Sequence, residues 1–309
     1  MNITNSNLFD TLLNDDENNQ LGNFIDLEII NSMYNTLNVN DICKYHDLTS
    51  YKLSTPSSEI EYLNLVHVNA RSLSKNHDQL TSLIQTLPKL PDILCISETW
   101  LTPDTAPLNV IEGYNCYFTH RPEGCGGAVI FVNNNILSTQ LNDYCISDEN
   151  IELCTTSITF GQSKYIVLTI YRRHDKHHKV NEFNAFMDQF LSQNVFIDNQ
   201  TIITGDLNVN LLEHDSYPPS NNFLSIMQSY NYFPHISRPT RFPDENSNAS
   251  PSLIDHIWTN FHSPSSSGIL LYPLTDHLSI FLNISILRKI DAKHKVTFRI
   301  KSKQNRTKF

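Results

Sequence analysis

The chain has 309 residues, 39% hydrophobic and 17% charged, enough to bury the core of one large α/β domain or two small ones. It holds no apolar run near the roughly 18 residues a membrane-spanning helix requires, no basic and apolar N-terminal leader, and no CxxC pair among its six cysteines, so a membrane span, a secretory signal and a zinc site are not expected. A formal charge of −10, from 32 acidic against 22 basic residues, weakens a nucleic-acid reading without excluding it, since phosphates are met mainly by Lys and Arg but a carboxylate-rich metal site would itself add acid.

Residues 1–58 are rich in Asn, Asp, Ser and Thr and read as mostly disordered, with one weak helix around 27–34 and a linker at 55–61. The folded domain is expected over 59–287. Alternation makes 63–69 a strand, and Leu80, Leu83, Ile84 and Leu87 give 75–87 helical spacing, ended by Pro88 and Pro91. Strands follow at 92–97 and 127–132, and 151–160 with 165–171 form a hairpin around Gly161. Phe183, Phe186, Met187 and Phe190 form a helical core stripe. A strand at 201–204, a helix at 223–230 and strands at 253–258, 268–271 and 278–286 complete the domain. Mixed order with hairpins points to an α+β fold of two packed mixed β-sheets flanked by helices. Residues 288–309 carry nine Lys or Arg against one Asp and form a basic tail.

The polar residues at the strand ends carry the chemistry. Apolar runs give way to Asn69, Glu98, Tyr171, Asp206 with Asn208, Asp255, and Asp276-His277. Any one of these is ordinarily a turn residue; six such ends in one domain are harder to explain by turns. Together they suit phosphodiester hydrolysis. A hard divalent ion, Mg²⁺ or else Mn²⁺, takes carboxylate and amide oxygens, here Glu98 with Asn69 and Asp276. Asp206 beside Asn208 can orient and deprotonate a water. His277, its tautomer fixed by Asp255, can serve the phosphate.

The motifs NARS, SETW, IYR, GDLN, LIDH and TDH, in this order over roughly 62–287, resemble the endonuclease/exonuclease/phosphatase superfamily. The stretches NARSL, DILCISETWL, GGAVIFV, GDLNVNLL, RPTR to LIDHIWTN, and SGILL to TDHLSIF look more narrowly like the apurinic-endonuclease-like domain of jockey-like LINE-type (non-LTR) retrotransposons. The resemblance implies a DNase I-like, four-layered α/β sandwich. It implies Glu98 as main metal ligand with Asn69 and Asp276 near it, Asp206 activating water that Asn208 positions, Tyr171 and His277 on the scissile phosphate, and Asp255 paired to His277. It further implies nicking of one strand of double-stranded DNA to leave a 3′-hydroxyl, and hence a nuclear location, with a cytoplasmic one as the alternative.

Two departures stand out. Abasic-site repair relatives carry Asp where this chain has Arg71, and the tyrosine motif, often followed by Arg-Pro-Pro, reads Tyr171-Arg172-Arg173-His174. Arg71, Arg172, Arg238 and Arg241 are candidate DNA contacts. His174, His177 and His178 read as a solvated basic loop, and His256 should face away from the site if Asp255 faces it. No polymerase-like region follows, so the expectation is a retroelement endonuclease without its reverse transcriptase. A catalytically silent DNA-binding remnant, or a phosphatase or phospholipase of the same superfamily, remain the alternatives.

Overall fold

The structure, a computed structural model, describes residues 43–54, 61–119, 125–174, 180–243, 249–263 and 265–286. The weak helix expected at 27–34, the basic tail, and His177 and His178 lie outside them. In chain order the elements are β1 (Lys44–His46), α1 (Leu48–Ser54), β2 (Tyr62–Asn69), α2 (Leu73–Thr86), β3 (Ile93–Ser97), β4 (Tyr114–Thr119), β5 (Ala128–Asn133), β6 (Leu137–Gln140), β7 (Ile146–Ser147), β8 (Ile151–Phe160) and β9 (Ser163–Arg172). Then come α3 (Val180–Leu191), α4 (Asn194–Ile197), β10 (Gln200–Asp206), α5 (Pro218–Ser229), β11 (Phe233–Pro234), β12 (Asp255–Thr259), β13 (Ser265–Pro273) and β14 (Leu278–Ser285).

They form two sheets. One runs β1-β13-β14-β2-β3-β5-β4; the other runs β11-β12-β10-β9-β8-β6, with β7 on β8. The fold is therefore α+β, with two packed mixed sheets flanked by helices. Its layers follow from side-chain alternation. Leu63 and Leu65 of β2 join the core between the sheets, whereas Val66 and Val68 turn outward onto Leu80, Leu83 and Ile84 of α2. Every residue of β2 is buried, as expected of a central strand covered on both faces. Helix α2 starts where the Ser72 hydroxyl accepts from the Lys75 N–H at 3.4 Å and stops ahead of Pro88, which cannot continue it. Behind the second sheet, Phe183 of α3 stacks on Phe223 of α5 at 5.8 Å, and Phe223 meets Trp258 edge-on at 5.8 Å. Each such side chain contributes on the order of 1.5–3 kcal/mol by leaving water. Among the described residues no helix is long and apolar enough to cross a membrane.

Two expectations need correction. The folded unit begins before residue 59: β1 pairs in parallel with β13, and Cys43 and Tyr51 are buried. Tyr51 meets Phe281 edge-on at 4.6 Å and accepts from Asn64 Nδ2 at 3.0 Å. A three-residue strand is too short to show alternation, and its polar neighbourhood hid it. Asp255 and His277, moreover, do not end strands. Asp255 opens β12, and His277 precedes β14. In a mixed sheet one edge collects the C-terminal ends of some strands and the N-terminal ends of their antiparallel neighbours. Both residues reach the site's edge in that way.

Candidate active site and metal centre

Register brings the site together. Asp206 lies beside Tyr171 in the parallel pair of β10 and β9 and opposite Asp255 in the antiparallel pair of β10 and β12. In the other sheet Asn69 lies beside Ser97, just before Glu98. All these inward-facing positions stand at one edge of the sandwich, where the sheets meet. Asn69 Nδ2 spans the gap: it donates to Glu98 Oε1 at 2.9 Å and to Asp206 Oδ2 at 2.8 Å. The backbone N–H of Asn208 donates to the other Asp206 oxygen at 3.1 Å.

The local backbone is built for this. Gly205 adopts φ +143°, and a Cβ there would collide with the Ile170 carbonyl, so only glycine brings Asp206 this close to β9. Arg71, Glu98 and Asn208 hold left-handed φ values of 39°, 51° and 49°. Such strain in non-glycine residues persists where surroundings enforce it and gathers at functional sites.

His277 Nδ1 lies 2.9 Å from Asp255 Oδ2, and the Thr240 hydroxyl donates to that same oxygen at 2.6 Å. Both members of the pair are buried. Burial would lower the pKa of His277, but the Asp255 carboxylate, with Asp206 and Asp276 behind it, outweighs that and raises it to about 9. Burial likewise opposes the charge on Asp255, yet His277 holds its carboxyl below the usual range. Asp206 moves the other way: burial pushes it up, and the Asp255 and Glu98 carboxylates add to the rise beyond what His277 offsets. Burial, then Glu98, Asp206 and Glu152, push the Tyr171 hydroxyl far up, so it stays protonated.

The candidate metal set differs in part from the expected one. Glu98, Asp206 and His277 each offer a ligand atom within 4.8 Å of the others. Two carboxylates held together by one amide, one of them strained toward its protonated form, are short of positive charge. That donor set fits a hard divalent cation. Asn69 borders it, its Oδ1 accepting from the Arg71 N–H at 3.2 Å. Asp276 is absent from the cluster, its carboxylate engaged by Arg71 at 2.8 Å and Arg241 at 2.9 Å.

The other candidates separate. Arg172, expected on DNA, is only 2% exposed. It follows Tyr171 on β9 and so faces the opposite way, 5.7 Å over the Phe183 ring. Its guanidinium donates to the carbonyls of Leu207, at 2.7 Å, and Asn208, while Asn208 Nδ2 returns a bond to the Arg172 carbonyl at 2.6 Å. It braces the GDLN turn from behind instead of meeting a phosphate. Arg238 lies over the ring of Tyr45 at 5.7 Å. His174 is exposed. His256 faces Phe223 and Trp258, away from the site. Sequence reasoning missed Thr240, whose hydroxyl also accepts from the Asp255 N–H at 3.1 Å; nothing in SRPTRF marks it. It also missed Thr275, whose hydroxyl donates to the Asn69 carbonyl at 3.2 Å and ties TDH to NARS.

A search of curated protein sequences finds no match, but solved structures share the fold. An AP endonuclease, LMAP, from Leishmania major aligns with a TM-score of 0.59 at 16% identity, covering 92% of this chain and 100% of that one. A 3′-5′ exonuclease, NExo, from Neisseria meningitidis aligns at 0.55 and 15% identity, covering 72% and 100%. The endonuclease domain of TRAS1, a telomere-specific non-LTR retrotransposon, aligns at 0.54 and 12% identity, covering 72% and 98%. At such identities these likenesses concern the fold. The sequence profile of the endonuclease/exonuclease/phosphatase family matches residues 36–277. That is well over half the chain, and it takes in every residue of the cluster; the protein belongs to this family.

Proposed function

We propose that the protein is a divalent-metal-dependent endonuclease that nicks one strand of double-stranded DNA and leaves a 3′-hydroxyl, in the manner of a LINE-type retroelement endonuclease. The observation that carries this reading is the junction of the sheets, where Asn69 ties Glu98 to Asp206 within reach of a His277 already paired to Asp255. A buried base, an ion-paired imidazolium and a cluster of hard ligands are the parts that hydrolysis of a phosphodiester needs. The neighbours named as AP endonuclease, exonuclease and retrotransposon endonuclease support a nucleic-acid substrate. The NARSL, SETWL and RPTR stretches support the retroelement type.

Glu98 and Asp206, with Asn69 beside them, would hold the cation, while the His277 imidazolium, close to both, is left to the phosphate because a histidine ligates metal only when deprotonated. When bound, Mg²⁺ or Mn²⁺ neutralises charge developing on the phosphate and leaving oxygens. Asp206 accepts the proton of the attacking water. Asn208, its Nδ2 committed to the Arg172 carbonyl, offers Oδ1 to that water. His277, held by Asp255, itself fixed by the Thr240 hydroxyl, presents Nε2 to a non-bridging phosphate oxygen. Tyr171, which keeps its proton, donates a hydrogen bond to the same group. Attack on phosphorus forms the new P–O bond of a 5′-phosphate and breaks the bond to O3′, which leaves as an alkoxide and takes a proton from solvent water to give the 3′-hydroxyl that can prime synthesis.

A substrate panel tests this. Supercoiled plasmid, sphingomyelin and an inositol phosphate are each incubated with the full chain and Mg²⁺. The plasmid should be nicked and the others left intact. Turnover of the lipid or inositol phosphate with the plasmid untouched would reverse the assignment.

A further inference from the structure

Asp276 adjoins His277 but stands outside the ligand cluster. Two guanidiniums close on its carboxylate from chain segments far apart in sequence: Arg71 Nη1 at 2.8 Å, and Arg241 Nε at 2.9 Å. The carboxylate is largely covered, its side chain 15% exposed, whereas the Arg71 and Arg241 side chains remain 43% and 37% exposed. Each arginine carries five N–H donors, and these contacts use one nitrogen of each.

The backbone fixes both arginines. Arg71 takes the left-handed region at φ 39°, with its N–H on Asn69 Oδ1. Arg241 is bridged on one side to Ser252 and on the other to His277, and Phe242 N–H donates to the Asp276 carbonyl at 3.1 Å. Stability alone does not call for this. Exposed ion pairs are worth about 1 kcal/mol or less, and a second guanidinium adds repulsion between like charges. One carboxylate between two cations leaves a net charge of +1 at the rim, directed to solvent and next to the residues that would hold the scissile phosphate.

We propose that Arg71, Asp276 and Arg241 form a clamp for a DNA backbone phosphate neighbouring the scissile one, in which Asp276 is a positioning residue for the two arginines and not a metal ligand. This rests on the nuclease reading. The ligand is a phosphodiester, met by the guanidinium forks bidentately or one to each non-bridging oxygen. Such contacts carry no base preference.

The test uses two readouts on the full chain. Mn²⁺ binding is measured by calorimetry for wild type, Asp276→Asn and Glu98→Gln. Asp276→Asn should keep wild-type affinity within about threefold, while Glu98→Gln loses at least about tenfold, the scale of a lost contact at a metal site. Duplex DNA binding is then measured in metal-free buffer across NaCl concentrations for wild type, Arg71→Ala, Arg241→Ala and the two Arg→Lys variants. Each Ala variant should weaken binding equally for unrelated sequences and flatten the slope of log affinity against log salt by about 0.9. Each Lys variant should restore most of that slope. Loss of Mn²⁺ binding in Asp276→Asn as deep as in Glu98→Gln would overturn the clamp, making Asp276 a ligand. Wild-type DNA binding with both Ala variants unchanged would overturn it too, leaving the nuclease reading intact. A wild-type protein that binds Mn²⁺ but no DNA would overturn both.

Discussion

Replacing Asp255 by Asn keeps the shape of the buried pair and removes its charge. In the wild type, Asp255 Oδ2 takes both His277 Nδ1 and the Thr240 hydroxyl in a pocket where the two residues are 1% and 4% exposed. The rise of the His277 pKa from 6.5 to about 9 corresponds to at most about 3 kcal/mol of preference for the imidazolium. Without the carboxylate, burial dominates and the pKa should fall to the ordinary histidine value or below. Breaking a buried ion pair from one side costs about 3–5 kcal/mol, and the isosteric amide puts the expectation at the lower end. A raised folded-state pKa gives stability that is present below the unfolded pKa and lost as pH rises through the folded one. Asp255, whose carboxyl is lowered, must also be ionised. The wild-type advantage over Asp255→Asn should therefore be full between about pH 4 and 6.5 and fade as pH approaches about 9. Nicking should fall by roughly 10²–10⁴, the range for losing a positioned proton donor or the carboxylate that orients it. Denaturant unfolding at several pH values, single-turnover nicking, and an NMR titration of the His277 imidazole check this. A variant that nicks within threefold of wild type, with His277 still titrating near 9, would refute the reasoning.

Two other perturbations separate roles within the site. Arg172→Ala should lower stability by about 2–5 kcal/mol, because the Leu207 and Asn208 carbonyls lose a buried donor, and should slow nicking while leaving DNA affinity and its salt slope unchanged; a flattened salt slope would return Arg172 to the DNA surface. With divalent ions removed by EDTA, the raised pKa values of Asp206 and His277 both mean that the folded state binds protons more tightly than the unfolded one. The melting temperature should then fall as pH rises from about 6 to 9, and added Mn²⁺ should raise it more at the high end; a metal effect independent of pH would contradict the cluster as a cation site.

The sequence reveals the central strands because β2, β3, β9 and β10 carry long apolar runs that break into polar residues at one edge. Asn69, Glu98 and Asp206 were visible for that reason, and Asn208 through the GDLN turn. What stayed hidden has identifiable causes. The strand β1 is three residues long, too short for periodicity, and gains its place from pairing with β13. The direction of Arg172 was readable by the same alternation that turned His256 away, since Tyr171 and Arg172 are strand neighbours; the basic run after Tyr171 suggested a DNA surface instead. The partners of Asp276 were not readable at all. Arg71 and Arg241 come from unrelated segments, and only the packing of the NARS turn, the RPTR segment and the TDH turn brings them to one carboxylate. Thr240 is the same case, a hydroxyl whose role depends on how SRPTRF lies along LIDH.

The most direct measurement is single-turnover cleavage of an end-labelled DNA duplex by the full chain with Mg²⁺ and with EDTA, beside Asp206→Asn and His277→Ala, with the products offered to a DNA polymerase without end repair. The account predicts a nick on one strand that needs Mg²⁺, disappears in both variants and is extended directly from its 3′-hydroxyl. Folded wild-type protein that leaves the duplex intact, or nicks it equally well in both variants, would contradict it.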